Sequence, residues 1–499
     1  MAVTWSVSPA AGAGSVDASG KFTAPNTTPS PATATVTATS HANATASGSA
    51  NVTLATAFPS APATIGGSTG SGAGVFAHGV ATNGKRAYAV WAGAASTTPA
   101  VMIARSDDGG GTWKAPVAAL KVTLAGTASG EFTCPAVAID PVNPDLVYVG
   151  GHAAGNNLGD AAAGATNEDS ALLAVSTDGG TSFTPYVMWV SGPGGAGPGG
   201  TSGWTGSGTT CLDVAAPAAN AVAFEAPGGF SNDGNPDIAI WFDANKGAGF
   251  ASGSQGQNGN IGYVANGATG ALNNLKGNHE IAVQQNGGTD DAGGVTEAPR
   301  LFGDGAGRLC ISYFGKVEPN GGFQSHAYVQ CSADGAKTFT PPLVLDPSQP
   351  FNVGISSPIG ALGANKAAAV LWTNGLAAGK LLVATSTDAG LTFGAPTAVP
   401  TYVLPGDKVG APPLNPDIAY DAAGVLWVAY RVFDGVSTNR IIVDKSCDGG
   451  KTWSGAVVVN GAEGALVDLR FPALSMTPDA APHLLTVASD HLAFSTLTP

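Results

Sequence analysis

Three arginines and four carboxylates are the residues of this chain best suited to act on a ligand. Arg300, Arg431 and Arg470 are three of only seven arginines in 499 residues. A guanidinium presents a planar fork of donors and grips carboxylates through charge-assisted, often bidentate bonds. Glu131, Asp213, Glu297 and Asp468 supply carboxylate oxygens. Pairs such as Glu131 with Asp213, or Glu297 with Asp468, suit glycoside hydrolysis of the retaining or inverting kind, depending on their separation. His152, Asp243 and Lys316 join the set by position. Each has a plainer reading. An arginine beside a carboxylate is a salt bridge, and His152 is a hydrogen-bonded rim residue. Tyr313, Tyr402 and Tyr430 are present, but none stands out as a nucleophile.

These residues fall where strand-like runs begin or end in a segment that repeats along the chain. Each repeat reads as a first strand, a turn, a second strand, a loop, a third strand, a polar turn and a fourth strand. The repeats run over about 75–121, then from Cys134, then 211–285, 295–345, 352–399 and 412–460. Three further strand-like runs follow, around Phe471–Leu474, His483–Val487 and His491–Phe494. First strands start, and second strands end, on one face of such an assembly. The candidate residues therefore converge there, at the mouth of a central channel.

The polar turn recurs five times: SDDGGGTW from Ser106, STDGGTSF from Ser176, SADGAKTF from Ser332, STDAGLTF from Ser386 and SCDGGKTW from Ser446. Its aspartates are Asp108, Asp178, Asp334, Asp388 and Asp448. A carboxylate there can accept backbone N–H bonds across the turn, and glycine supplies positive φ at no steric cost. The closing aromatic packs beneath the hairpin. A calcium loop is a weaker reading, because each copy carries too few carboxylates for an oxygen cage. The motif resembles the Asp-box of sialidases and related β-propellers. That resemblance implies an all-β propeller with the boxes as structural turns on the face away from the mouth. The third repeat lacks a good box; Ala265–Thr269 is its nearest remnant.

The resemblance implies the catalytic set of sialidases only in part. Those enzymes use three arginines, an aspartate acid/base and a tyrosine–glutamate pair, with the first arginine in an aromatic-Arg-Ile-Pro motif. Leu469-Arg470-Phe471-Pro472 keeps the arginine and the proline but not the aromatic, and it stands at the end of the chain. Ser231–Ile238 is similar to the calcium loops of integrin-type propellers, with Asp233, Asn235 and Asp237 as candidate ligands, though the usual leading Asp is missing. An ordinary Asn/Gly turn is the simpler reading. The tripeptide Asn-Pro-Asp recurs at 143–145, 235–237 and 415–417 and reads as a repeat turn.

Composition agrees with many short strands and turns: 72 glycines, 34 prolines, 44% hydrophobic and only 11% charged residues. The formal charge of −14 disfavours nucleic acid and anionic membranes as partners. No apolar run is long enough to span a bilayer as a helix. Five cysteines leave at least one unpaired. A hairpin symmetric about residues 320 and 321 sets Cys310 opposite Cys331, a pairing a disulfide fits. Cys134 and Cys211 open equivalent strands and form a second candidate pair. Cys447 lies inside a box and is read as free.

The expected organisation is a partial β unit over 1–55, similar to the later strands of bacterial Ig-like modules, a Pro/Gly/Ser linker over 56–74, and a propeller over 75–499. Seven blades are favoured, with residues around Pro62–Ile65 as a closing strand; six follow if the final strands complete the first blade. Met1–Trp5 already reads as a strand, so the natural protein is expected to extend upstream. Low lysine content and Thr/Ser/Gly-rich surfaces point to an extracellular or cell-surface location. The expected function is binding of a glycan or protein partner without catalysis and with no required cofactor, calcium being the exception to test. A glycoside hydrolase acting at the mouth and a structural subunit of a surface assembly are the alternatives.

Overall fold

A computed structural model of the chain describes residues 2–10, 14–23, 33–53, 63–65, 78–84, 86–95, 98–121, 131–156, 168–190, 213–219, 222–226, 237–240, 242–243, 247–248, 263–264, 279–280, 297–316, 325–334, 339–341, 343–346, 358–374, 380–401, 414–433, 439–458, 473–475, 483–488 and 491–496. Among these residues all regular secondary structure is β-strand.

Among the described residues, seven antiparallel sheets of four or five strands follow one another after the N-terminal segment. Sheet 1 orders His78–Asn83, Arg86–Ala95, Thr98–Ser106 and Val117–Lys121. Sheet 2 orders Glu131–Ile139, Val147–Asn156, Glu168–Ser176 and Thr184–Val190, with Tyr263–Val264 as a fifth strand. Sheet 3 holds Asp213–Ala215, Ala223–Ala226, Asp237–Ile240 and His279–Glu280. Sheets 4, 5 and 6 begin with Glu297–Gly303, Ile359–Leu362 and Leu414–Tyr420 and are simple four-stranded meanders. Sheet 7 combines Ala473–Ser475, His483–Ala488 and His491–Thr496 with Ala63–Ile65 from far upstream. The final strands thus pair with Ala63–Ile65, a strand far upstream of them. Contacts between first strands run from each sheet to the next and return from sheet 7 to sheet 1. The result is a β-propeller-like ring.

A ring gives every sheet a neighbour on both faces, so both faces of its strands must be apolar. Arg86–Ala95 shows this. Ala87, Ala89 and Trp91 enter a cluster with Trp427, Leu474 and Leu484 on one side. Tyr88, Val90 and Ala92 join Ile139, Val147 and Val149 on the other. Trp372 and Trp427 are fully buried in the same way. In sheet 4, Cys310 and Cys331 face each other across adjacent strands and are joined by a disulfide. Cys447 is free. Cys134 lies on a described strand, whereas Cys211 lies outside the described residues.

The boxes connect the third and fourth strands. In the first, Thr112 donates its backbone N–H (2.8 Å) and its hydroxyl (2.7 Å) to the Asp108 carboxylate, and Ser106 donates its hydroxyl (2.7 Å). Asp178, Asp388 and Asp448 repeat this pattern. Asp334 accepts the Ser332 hydroxyl; the next four residues of that box lie outside the described residues. Within sheets 2 and 5 the box meets the turn between first and second strands: Gly179 donates to the Asp145 carbonyl (2.9 Å) and Ala389 to that of Lys366 (2.8 Å). The boxes therefore sit on the face where first strands end.

The N-terminal segment forms a three-stranded sheet with Thr33–Ser40 between Val3–Ser8 and Ser47–Thr53, plus a hairpin of Ser15–Val16 with Phe22–Thr23. Its small core gathers Val7, Phe22, Ala34 and Val52.

Candidate functional site at the channel

Proline shapes the wall of the channel. The pairing of first with second strand shifts register between Thr133 and Ala136, between Glu297 and Arg300, and between Leu414 and Asp417. Pro135, Pro299 and Pro416 lie in these three gaps. A proline has no N–H to give the ladder, so the strand bulges there and re-aims the residue that follows. Those residues are Ala136, Arg300 and Asp417. With Gly79, Asp213, Ile359 and Ala473 from the other four sheets they line a cavity of about 560 Å³.

Three of these positions are charged and near one another. Arg300 Nε donates to Asp213 Oδ2 at 3.0 Å. The same oxygen accepts the backbone N–H of Leu301 at 2.9 Å, and Oδ1 accepts that of Val214 at 3.0 Å. Asp417 repeats the arrangement without a guanidinium: Oδ1 accepts Ile418 N–H at 2.9 Å and Oδ2 accepts Leu474 N–H at 2.6 Å. Each carboxylate thus clasps its own strand to the first strand of the next sheet. Asp417 is crowded by protein, though part of the residue still opens on the channel. Burial pushes its carboxyl up to about 6, against the pull of the Leu474 and Ile418 N–H groups and of Arg300; Asp213 adds to the rise.

The far end of the cavity carries Asp304, Arg308 and Asp421. Arg308 pairs with Asp304 at 2.6 Å and reaches across to the Gly363 carbonyl at 2.6 Å. Asp421 accepts Val425 N–H at 2.8 Å and Trp427 Nε1–H at 3.0 Å. These groups tie turns together at the box face.

The candidates read from the sequence distribute as follows. Asp213 and Arg300 meet in the cavity. Arg431 lies on a second strand, opposite Leu414, with its Nε buried, and does not line the cavity. Glu131, His152, Glu297 and Lys316 lie on described strands, but their side chains fall outside the described residues. Asp468, Arg470, Asp233 and Asn235 lie wholly outside them; Asp237 opens the third strand of sheet 3, its side chain likewise outside. Asp243 needs correcting. It follows the third strand in a separate hairpin with Gly247–Ala248, past that strand's far end, because the short second strand is Ala223–Ala226. Among the described residues no group of three or more His, Cys, Asp or Glu side chains is placed to hold a metal ion.

Asp417 was missed. Read as the end of an Asn-Pro-Asp turn, it stands inside the first strand Leu414–Tyr420. The signal was available in the shared phase of Pro299-Arg300-Leu301 and Pro416-Asp417-Ile418.

No protein-family model matches this chain, and no curated protein matches it either. Solved structures similar to it include the NanB sialidase of Streptococcus pneumoniae, 12% identical, with 89% of this chain and 70% of that one covered and a TM-score of 0.40. The intramolecular trans-sialidase of Ruminococcus gnavus is 12% identical over 85% of this chain and 94% of its own, with a TM-score of 0.39. A polysaccharide lyase, an ulvan lyase, is 10% identical over 88% and 95%, with a TM-score of 0.44.

Proposed function

We propose that this chain is an extracellular or cell-surface seven-bladed β-propeller that binds carbohydrate at the channel without cleaving it. The observation that carries this reading is the engagement of Asp213. Both of its oxygens accept backbone N–H groups, and one also takes the Arg300 guanidinium. A carboxylate so held is poorly placed to attack or to shuttle a proton, and the paired arginine has less to offer a substrate carboxylate. The cavity has the size of a small-ligand pocket. The buried Cys310–Cys331 disulfide supports an oxidising compartment. Calorimetric binding to an oligosaccharide panel, run beside a hydrolysis assay on the same sugars, tests the reading. Binding without product is expected; steady release of reducing ends would overturn the non-catalytic part.

One observation favours hydrolysis instead. Burial raises the Asp417 carboxyl to about 6, toward the range of a general acid, and Asp213 stands in the same cavity. On that reading Asp417→Asn abolishes turnover and leaves binding in place.

A further inference from the structure

Among the described residues the charged groups of the channel wall are unequal in number. Four carboxylates (Asp213, Asp304, Asp417 and Asp421) line the cavity with two guanidinia, Arg300 and Arg308. Arg300 pairs with Asp213 at 3.0 Å and Arg308 with Asp304 at 2.6 Å. Asp421 is held by an indole and a backbone N–H. Among the described residues Asp417 accepts the N–H groups of Ile418 and Leu474, and the charge of Arg300 acts on it as well. The rest of the described wall near Asp417 is small or apolar: Gly79, Ala136, Ile359 and Ala473. The chain as a whole carries −14, so its long-range field also draws cations toward the channel.

From this we propose that the channel ligand is a cation, an oligosaccharide bearing free amino groups, with Asp417 as counter-ion to one ammonium. The inference rests on the carbohydrate reading above and narrows it. An ammonium near Asp417 gains a charge-assisted hydrogen bond without breaking an existing pair. An anionic sugar meets Asp417 as a like charge, and the guanidinium nearest to it, Arg300, is already paired with Asp213. A neutral sugar gains neither way. The preference is therefore opposite to that of a three-arginine pocket built for a substrate carboxylate.

The test is calorimetry near neutral pH with three probes: a glucosamine oligomer, its N-acetylated counterpart and an oligogalacturonate. The amino oligomer is expected to bind about tenfold tighter than the acetylated one, a difference of about 1.4 kcal/mol, and the acidic oligomer more weakly than either. Asp417→Asn should erase the preference. Because that variant also loses an acceptor for a strand clasp, Ala136→Lys is the second test; a cation on the wall should reverse the order of amino and acidic oligomers. Equal or tighter binding of the acetylated or acidic oligomer overturns the inference and leaves the carbohydrate reading standing. If no oligosaccharide binds but spermidine does, the carbohydrate reading falls and the cationic preference survives. Failure of all probes sinks both.

Discussion

At the scale of single residues the box aspartates are the most repetitive device in the molecule. Asp388 accepts a backbone N–H and a hydroxyl from Thr392 and a hydroxyl from Ser386. These donors, the Ser386 hydroxyl foremost, hold its carboxyl down at about 2. Asp108 and Asp178 are held equally low, and Asp448 is lowered too. The folded chain thus binds these protons less readily than the unfolded chain does. The boxes contribute stability that is complete above the ordinary carboxylate value near 4 and is lost as pH falls toward 2. Solvent exposure of the box discounts the size of the effect. Asp388→Ala is expected to cost about 1 kcal/mol at neutral pH, by analogy with a helix cap of the same bonding. The parent and the variant should converge in acid. Urea unfolding followed at several pH values checks it; a gap that stays constant down to pH 2 would contradict the electrostatic account. Asp417 works in the opposite direction. Its raised carboxyl makes the charged form a burden near neutrality, relieved as pH drops below about 6.

At the scale of elements, the box is also a joint between sheets. In four of the five boxes the residue four after the serine is a glycine that donates its N–H back to the serine oxygen: Gly110, Gly180, Gly390 and Gly450. All four have positive φ. In three of them the bare Cα faces the preceding sheet: Gly180 against Tyr88, Gly390 against Cys331 and Gly450 against Val383. A Cβ on Gly390 would clash with Cys331 Sγ, on a backbone at φ +85°. Gly390→Ala is therefore expected to destabilise by about 1–3 kcal/mol. The same change at Gly449, positive in φ but facing open space, should cost less. Thermal unfolding of the two variants side by side decides it. Box and strand were legible in sequence because they are local: hydrogen bonds within seven residues and runs of Val, Ile, Leu and aromatics. The first-strand bulges were less so. Pro416 looked like part of a turn because Asn-Pro-Asp does make one at 143–145, where Asp140 accepts Val142 and Asn143 N–H. Only pairing with Leu426–Phe433 shows that the later copy continues as a strand. In sheet 3 no box marks the end of the third strand, so the sequence carries no local sign of strand phase, and Asp243 lies beyond the third strand rather than at the end of the second.

For the whole molecule the open question of the sequence was how the ring closes, and that depends on contacts between residues hundreds of positions apart. Ala63–Ile65 pairs with His491–Thr496, matching Ile65 to Leu492, Thr64 to Ala493 and Ala63 to Phe494. The two ends of the ring are thereby joined by backbone hydrogen bonds. Without that strand, His491–Thr496 would present an open edge, a template for pairing with another chain. Ile65 adds a side-chain lock. It is buried to 1% in a cluster with Trp91, Trp427, Leu484 and Leu485, so that sheets 1, 6 and 7 meet around it. Such long-range closure leaves only a faint mark in sequence, three residues in a stretch rich in Pro, Gly and Ser, and the clue was the incomplete count of strands at the other end. The consequence can be measured with two shortened chains. One begins at residue 54 and loses the N-terminal sheet; the other begins at residue 66 and loses Ala63–Ile65 as well. The first should keep the thermal midpoint of the full chain's ring. The second should unfold at lower temperature and associate as concentration rises. Ile65→Ala in the full chain should cost about 2–5 kcal/mol, the usual range for emptying a buried isoleucine site. If the chain starting at 66 is as stable and as monomeric as the one starting at 54, closure does not depend on that strand, and sheet 7 is held by side-chain packing on sheets 1 and 6 alone.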